Sequence, residues 1–341
     1  MSRALVTGAT GFLGTNLVHE LVGRGWSVRA FGLPGSETRY LEGLDVEQRL
    51  GDITERDQVS AAIEGCEVVF HVAGDTSFWR RNYERQRRVN VDGAVNVAEC
   101  CAAQGVRRLV HTSTIDALGH NPEGLADETW STYSYDGWGY NYADTKREGE
   151  ARVRAIGERE GLEVVVLYPG SMLGPFDFTL QFGRLFAELR DGKVPACPSG
   201  GIGFGHVVEV ARAHIAAASR GRPGEGYICA GTNATYRDLF ELIAARVGAK
   251  APRFDLPRAA FVAYGVAAEF VSRFSGRPPE MNPGMARFMS TRAYYDSRKA
   301  VEELGYRIVE LSTAVADAHD WYLAEGLLDP PANEATSRIR T

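Results

Sequence analysis

Long apolar runs are missing from this 341-residue chain. The longest candidate, Ala259-Ala260-Phe261-Val262-Ala263-Tyr264-Gly265-Val266-Ala267-Ala268, ends at Glu269, well short of the ~20 residues a helix needs to span a bilayer. It reads as a core or pocket-covering helix. Cysteine is scarce and odd in number, five in all with Cys100 and Cys101 adjacent, which does not fit a disulfide framework. Nor is positive charge in excess: 38 Lys and Arg against 44 Asp and Glu leave a net charge of −6, which argues against a nucleic-acid surface. The basic cluster from Arg80-Arg81 to Arg87-Arg88 is interleaved with Glu84 and reads as a solvated, salt-bridged helix face. No signal peptide precedes the first strand, which starts almost at Met1. With free cysteines this makes the reducing cytoplasm the expected compartment. No internal repeat is found, and no metal is expected.

What the chain has is an alternation of strand and helix patterns. Arg3-Ala4-Leu5-Val6 is a short apolar strand, and Leu17, Val18, Leu21 and Val22 fall on one face of a following helix. Further strands are predicted at Trp26 to Phe31, within Gln48 to Ile53, at Glu67 to Val72, at Arg108 to Ser113 and at Glu163 to Tyr168, with helices at Val89 to Ala103 and Tyr142 to Glu160. Such alternation predicts an α/β fold of right-handed βαβ units, a doubly wound parallel sheet of the Rossmann type. Beyond Pro169 the chain becomes loop-rich and aromatic, a smaller and discontinuous substrate lobe. The expected division is a dinucleotide-binding domain over 1–170 with a return segment at about 203–220. The lobe then covers 171–202 and 221–329, and a polar tail covers 330–341.

Two motifs carry chemistry. Between the first strand and first helix lie Gly8, Gly11 and Gly14. Gly8 takes a tight turn, Gly11 lets the backbone approach a pyrophosphate, and Gly14 lets helix and strand pack closely. The helix N-terminus at Phe12 and Leu13 presents N–H groups to the phosphates. The spacing is Gly-x-x-Gly-x-x-Gly, not the standard Gly-x-Gly-x-x-Gly. The second motif is Tyr142 and Lys146, four apart and so on one helical face. A free tyrosine has a pKa of about 10. A nearby ammonium and the positive ring of an oxidised nicotinamide favour phenolate, so that tyrosine serves as acid or base to a carbonyl oxygen while hydride moves. A hydroxyl at the end of the fifth strand would polarise that oxygen; Thr114 is the candidate and Ser113 the alternative.

Together these segments resemble the extended short-chain dehydrogenase/reductase family, within the wider epimerase/dehydratase group. The resemblance covers most of the chain: Thr7 to Gly14, Gly51-Asp52-Ile53, His71-Val72-Ala73-Gly74, Asn90-Val91-Asp92-Gly93, Thr112 to Thr114, Tyr142 to Lys146, Tyr168-Pro169-Gly170 and Gly174-Pro175. Leu41 to Val46 and Gly221 to Tyr227 are similar to the dihydroflavonol-reductase-like and hopanoid-associated epimerase-like branch. The resemblance implies a catalytic set of Thr114, Tyr142 and Lys146. It implies that Asp52 meets the adenine and Ile53 packs on it, that Ala73 and Gly74 line the cofactor with Asn90 nearby, and that Pro169 and Ser171 border the nicotinamide. It also implies a homodimer through the helices around Asn90–Ala103 and Tyr142–Glu160. Members that prefer NAD usually carry an acid after the second strand; this chain has Phe31-Gly32-Leu33. Without that acid, and with Arg39 in reach of a 2′-phosphate, NADP is the expected cofactor and NAD the alternative. The dehydratase acid pair is incomplete, since Ile115 and Asp116 stand in its place.

The expected activity is therefore reduction of a ketone or aldehyde, or oxidation of the alcohol, on a hydrophobic small molecule. Candidate pocket residues are Phe78, Trp79, Tyr133, Tyr135, Trp138, Met172, Phe176 and Phe182, largely aromatic as ligand pockets tend to be. Two other readings stand beside it. A nucleotide-sugar epimerase with tightly bound NAD would need cations for a diphosphate, with Arg184 and Arg190 available. A non-catalytic NADP-binding sensor would not need Thr114, Tyr142 and Lys146 intact.

Overall fold

Continuous apolar strands, buried on both faces, set the frame. In the computed structural model, which describes residues 3–275 and 277–329, the strands are β1 (Arg3–Thr7), β2 (Ser27–Gly32), β3 (Val46–Leu50), β4 (Val68–His71), β5 (Arg108–Thr112), β6 (Glu163–Pro169), β7 (Ser171–Leu173), β8 (Cys197–Pro198), β9 (Gly201–His206), β10 (Gly226–Cys229), β11 (Thr232–Thr235), β12 (Asp255–Leu256) and β13 (Arg292–Ala293). Seven of them form one sheet in the order β10-β6-β5-β4-β1-β2-β3, and every pairing is parallel. Helices on both faces explain why the inner strands read as apolar runs and not as alternating ones, while the edge strand β3 is largely polar and exposed. On one face Leu5, Val69, Leu109 and Val166 pack with Val97, Ala98 and Val153. On the other, Val6, Phe70, Val110 and Leu167 pack with Leu17, Leu21, Val210 and Ala217. From β1 the chain runs outward through β2 and β3, then crosses to β4 on the other side. This reversal opens a crevice at the carboxyl ends of β1 and β4, where ligands of open α/β sheets bind.

Two expectations change here. The third strand is Val46–Leu50, so Gly51, Asp52 and Ile53 lie in the loop after it. Residues 226–229, expected in the lobe, pair with β6 in the main sheet. The return to the sheet is made by the helix Val207–Arg220, packed on the helix Phe12–Gly23, and then by β10. Gly201–His206, at the start of the expected return segment, instead pairs with β7, β11 and β13 in a smaller sheet. The physical reason is connectivity: β6 and β10 are parallel neighbours, and a parallel pair needs a helical crossover between them.

The smaller layer carries the helix Tyr236–Arg246, opened by a capping box in which Thr235 and Asp238 exchange hydrogen bonds and closed near Gly248, whose φ is +70°. The helix Arg258–Ser275 is not in the core. Only Phe261, Gly265 and Ser272 of it are buried. Among the described residues no helix is long and apolar enough to cross a membrane. The tail over 330–341 lies outside the described residues.

Candidate active site

The glycine loop divides into two kinds of glycine. A Cβ at Gly8, which has φ +67°, would lie 2.7 Å from the Ala73 backbone, and one at Gly14 would lie 1.9 Å from the Gly8 carbonyl oxygen. Both are therefore required by the packing of strand, loop and helix. At Gly11 a Cβ would meet only the Gly8 oxygen, at 3.3 Å. Its open side faces a cleft of about 410 Å³ that Gly11, Phe12, Leu13 and Gly14 line together. No side chain caps the helix that begins at Phe12, and its first turn holds no acid. The N-terminal positive end of that helix is left for an anion.

Across the cleft stand Thr114, Tyr142 and Lys146. Thr114 follows β5 in extended conformation, its Oγ1 accepting from the Asp116 N–H at 3.3 Å. Tyr142 is in the first turn of the helix Asn141–Glu160 and Lys146 one turn on. The Lys146 Nζ is buried and donates to the Thr112 carbonyl at 2.6 Å. Burial pushes its pKa down to about 8, against the pull of Glu150. Burial, and then the Asp116 carboxylate, hold the Tyr142 phenol above its usual range, while the Thr114 hydroxyl draws it back down. The phenol thus keeps its proton at neutral pH, and the protein alone does not lower its pKa as the Tyr–Lys spacing suggested. Ser113 is otherwise engaged, donating to Glu150 Oε2 at 2.7 Å, which leaves Thr114 as the hydroxyl beside Tyr142.

Behind Thr114 lies a pair that sequence reasoning missed. Tyr140 Oη donates to Asp116 Oδ2 at 2.7 Å, both groups buried. Asp116 Oδ1 has no partner among the described residues. Burial pushes the Asp116 pKa up to about 6, with the Tyr140 and Thr114 hydrogen bonds acting against it. Three buried histidines, His71, His111 and His214, sit under the same strand ends. Burial, and then Lys146, hold His71 down to about 3, and burial holds His214 down to about 4.

Other expected cofactor residues divide. Asp52, Ile53, Ala73, Gly74 and Pro169 line the cleft. Asp52 also accepts from the Thr54 N–H at 2.9 Å, holding its own turn. Asn90 and Ser171 are not among the cleft-lining residues. Asn90 is a brace: its Oδ1 accepts from the Asp75 N–H at 2.8 Å, and its Nδ2 donates to the Asp75 carbonyl at 3.0 Å and to Thr145 Oγ1 at 3.1 Å. It shapes the loop carrying Ala73 and Gly74. Arg39 is likewise absent from the cleft. Its guanidinium sits 4.5 Å over the Tyr40 ring and 3.3 Å from Glu325. The cleft wall after β2 is Gly32, Leu33 and Ser36, with no acid.

The aromatic candidates divide too. Met172 lines the cleft, as do Thr76, Thr179 and Gln181, which were not anticipated. Phe78 stacks over Tyr140 at 6.2 Å and meets Tyr142 edge-on at 6.4 Å. Trp79 and Trp138 are half-buried beneath Arg81 and Arg258. Tyr135 is fully buried against Phe288 and Tyr140, a core residue and not a pocket wall. Tyr133 donates to Asp144 at 2.5 Å. Phe182 packs on Phe204. Phe176 stacks on His19 in a separate cluster with Tyr40 and Trp321. Arg184 is paired with Glu188 and Glu280, and Arg190 with Asp191 and Asp329; neither lines the cleft.

A glycine-lined crevice at the switch point of a parallel sheet, faced by hydroxyl, phenol and amine, belongs to the Rossmann-like fold of the extended short-chain dehydrogenase/reductase superfamily. The chain belongs to the NAD dependent epimerase/dehydratase family, whose model matches residues 4–230. It is 32% identical to "Sterol demethylase protein B" of Methylococcus capsulatus over 95% of this chain and 99% of that one. It is 30% identical to a "Putative dihydroflavonol 4-reductase" of Synechocystis over 94% of each. The crystal structure of gox2253 superposes with a TM-score of 0.84 at 29% identity, covering 96% of this chain and all of that one.

Proposed function

We propose that the protein is an NADP(H)-dependent reductase that converts a ketone or aldehyde of a hydrophobic small molecule to the alcohol, or runs the reverse. The observation that carries this reading is the convergence of Thr114, Tyr142 and Lys146 on one cleft whose opposite wall is the Gly11–Gly14 loop. The loop fits a dinucleotide because the space a Gly11 Cβ would occupy opens into the cleft. Gly11 to Gly14 would hold the pyrophosphate, Asp52 and Ile53 the adenine, Ala73, Gly74 and Pro169 the inner end, and Lys146 the ribose. When bound, the nicotinamide supplies or accepts a hydride. The Thr114 hydroxyl donates a hydrogen bond to the substrate oxygen. Tyr142, kept protonated by its surroundings, delivers the proton that turns that oxygen into a hydroxyl, so carbon gains hydride and oxygen gains a proton. The charged Lys146 favours the phenolate left behind.

The preference for NADP rests on the wall after β2. Leu33 and Ser36 stand there, and no carboxylate repels a 2′-phosphate or claims a ribose diol. The hydrophobic substrate class is supported by Phe78 beside Tyr142 and Met172 in the cleft, and by the sterol and dihydroflavonol in the names of the relatives. A screen of ketones, aldehydes and secondary alcohols with both cofactors, followed by nicotinamide absorbance, tests the reading. Turnover of apolar carbonyls with NADPH is expected. Activity confined to nucleotide sugars with NAD that stays bound through purification would overturn it.

A further inference from the structure

The helix Arg258–Ser275 is turned the wrong way for a surface helix. At 100° per residue, its protein-facing side carries Phe261, Gly265 and Ser272, its three buried residues. Gly265 lets it approach its neighbour: a Cβ there would lie 2.8 Å from the Asn282 carbonyl oxygen. Its one acid, Glu269, is also turned inward, 14% exposed and 3.7 Å from Arg80. The outward half is apolar. Val266 is 53% exposed, Phe270 58%, Val271 61% and Phe274 79%, and the exposed positions between them are alanines at 259, 260, 263 and 267. Soluble proteins rarely expose a continuous apolar face of this kind unless it meets something.

Three arginines stand beside this face, and the acid at its other edge, Glu280, is already engaged, accepting from Tyr264 and paired with Arg184. Arg273 bounds the apolar arc and Arg277 follows the helix. Arg81 donates to the Arg273 carbonyl at 3.1 Å, its guanidinium lying 5.5 Å from the Trp79 ring. All three are exposed, and among the described residues none has a carboxylate partner, whereas Arg80 and Arg85 beside them do. In a chain of net charge −6 this rim is a local reversal.

We propose that this face docks on an anionic lipid surface, with Val266, Phe270, Val271 and Phe274 entering the headgroup–acyl boundary and Arg81, Arg273 and Arg277 meeting lipid phosphates. Apolar area together with attraction to anionic lipid is what holds an interfacial helix. A second copy of the chain fits less well, because a two-fold contact through this face sets the same arginines against one another while the nearby acids, Glu269 and Glu280, are already engaged with Arg80 and with Arg184 and Tyr264. The helix lies on the surface and does not cross it. It is joined to the residues beside Tyr142 through the helix Pro283–Met289, where Asn282 donates to the Phe78 carbonyl and the Phe288 ring lies tilted 5.0 Å from Tyr140. Docking is independent of the reaction proposed above and is read without turnover.

The test is flotation of the full chain with extruded vesicles in 100 mM KCl, either pure phosphatidylcholine or phosphatidylcholine with 30% phosphatidylglycerol. The wild type is expected to float with the anionic vesicles and at least fivefold less with the neutral ones. The exposed-site variant Phe270→Ser/Phe274→Ser, with an unchanged circular dichroism spectrum, is expected to stay at the bottom of the gradient. Arg273→Glu/Arg277→Glu is expected to lose the preference for anionic lipid. A wild type that floats with neither vesicle overturns the proposal, as does flotation that survives the phenylalanine substitutions. A dimer by light scattering that these substitutions dissociate, without vesicle binding, overturns it in favour of a second copy.

Discussion

Replacing Asp116 by asparagine should change how stability depends on pH by a calculable amount. The carboxyl is buried, its Oδ2 accepting from Tyr140 and its Oδ1 without a partner. Burial raises its pKa from 3.8 to about 6. A group whose pKa is raised on folding stabilises the fold fully below the unfolded value of 3.8, and that contribution is lost as pH rises through about 6. At about 1.4 kcal/mol per pH unit the interval is worth roughly 3 kcal/mol, of which roughly 1.4 kcal/mol falls between pH 5 and 7.5 by the same linkage. Asparagine keeps an oxygen for the Tyr140 hydroxyl and cannot ionise. Its amide meets the unpartnered side at a cost that does not vary with pH. Urea denaturation of both proteins at pH 5 and pH 7.5 is the assay. The wild type should lose about 1.4 kcal/mol relative to the variant over that interval. Parallel pH dependence in the two proteins would refute the burial of an ionising Asp116.

The two kinds of glycine separate folding from binding. Gly14→Ala puts a methyl 1.9 Å from the Gly8 oxygen and should lower the melting temperature sharply, whereas Gly11→Val should melt near the wild type and lose NADPH affinity in calorimetric titration. Unchanged affinity in Gly11→Val would remove the loop from the site. The wild type should bind NADPH more tightly than NADH, and Leu33→Asp should shift the preference toward NADH; a wild type that already favours NADH tenfold, about 1.4 kcal/mol, contradicts the reading of the wall after β2. Because burial brings Lys146 down from 10.5 to about 8, its charge is present below pH 8 and lost above it. Reductive kcat/KM should therefore fall as pH rises through about 8, and Lys146→Arg should move that fall upward. A profile unaltered by the substitution would remove the lysine charge from the reaction.

The motifs legible in the sequence were those made by local period. Gly8, Gly11 and Gly14 bracket one strand–helix turn, and Tyr142 and Lys146 are one helical turn apart, so each set of groups stays together wherever the rest of the chain goes. Contacts between distant segments were not legible. Asp116 and Tyr140 meet because the end of β5 faces the start of a helix 24 residues on. Arg39 looked placed for a phosphate by its nearness to β2, but Glu325, almost 300 residues later, holds it elsewhere. Tyr135 and Phe176 are as aromatic as Phe78, and only packing distinguishes core, separate cluster and active-site neighbour. An apolar run such as Ala259 to Ala268 states its own hydrophobicity and not which way it faces.

The central claim is that Tyr142 gives the proton. Tyr142→Phe keeps the ring against Phe78 and removes only the hydroxyl. Single-turnover reduction by the variant, with cofactor affinity measured on the same preparation, tests this most directly. The expected result is a fall of roughly two to four orders of magnitude, the usual share of general acid catalysis, with NADPH affinity changed much less. Near-normal reduction by Tyr142→Phe would contradict the account.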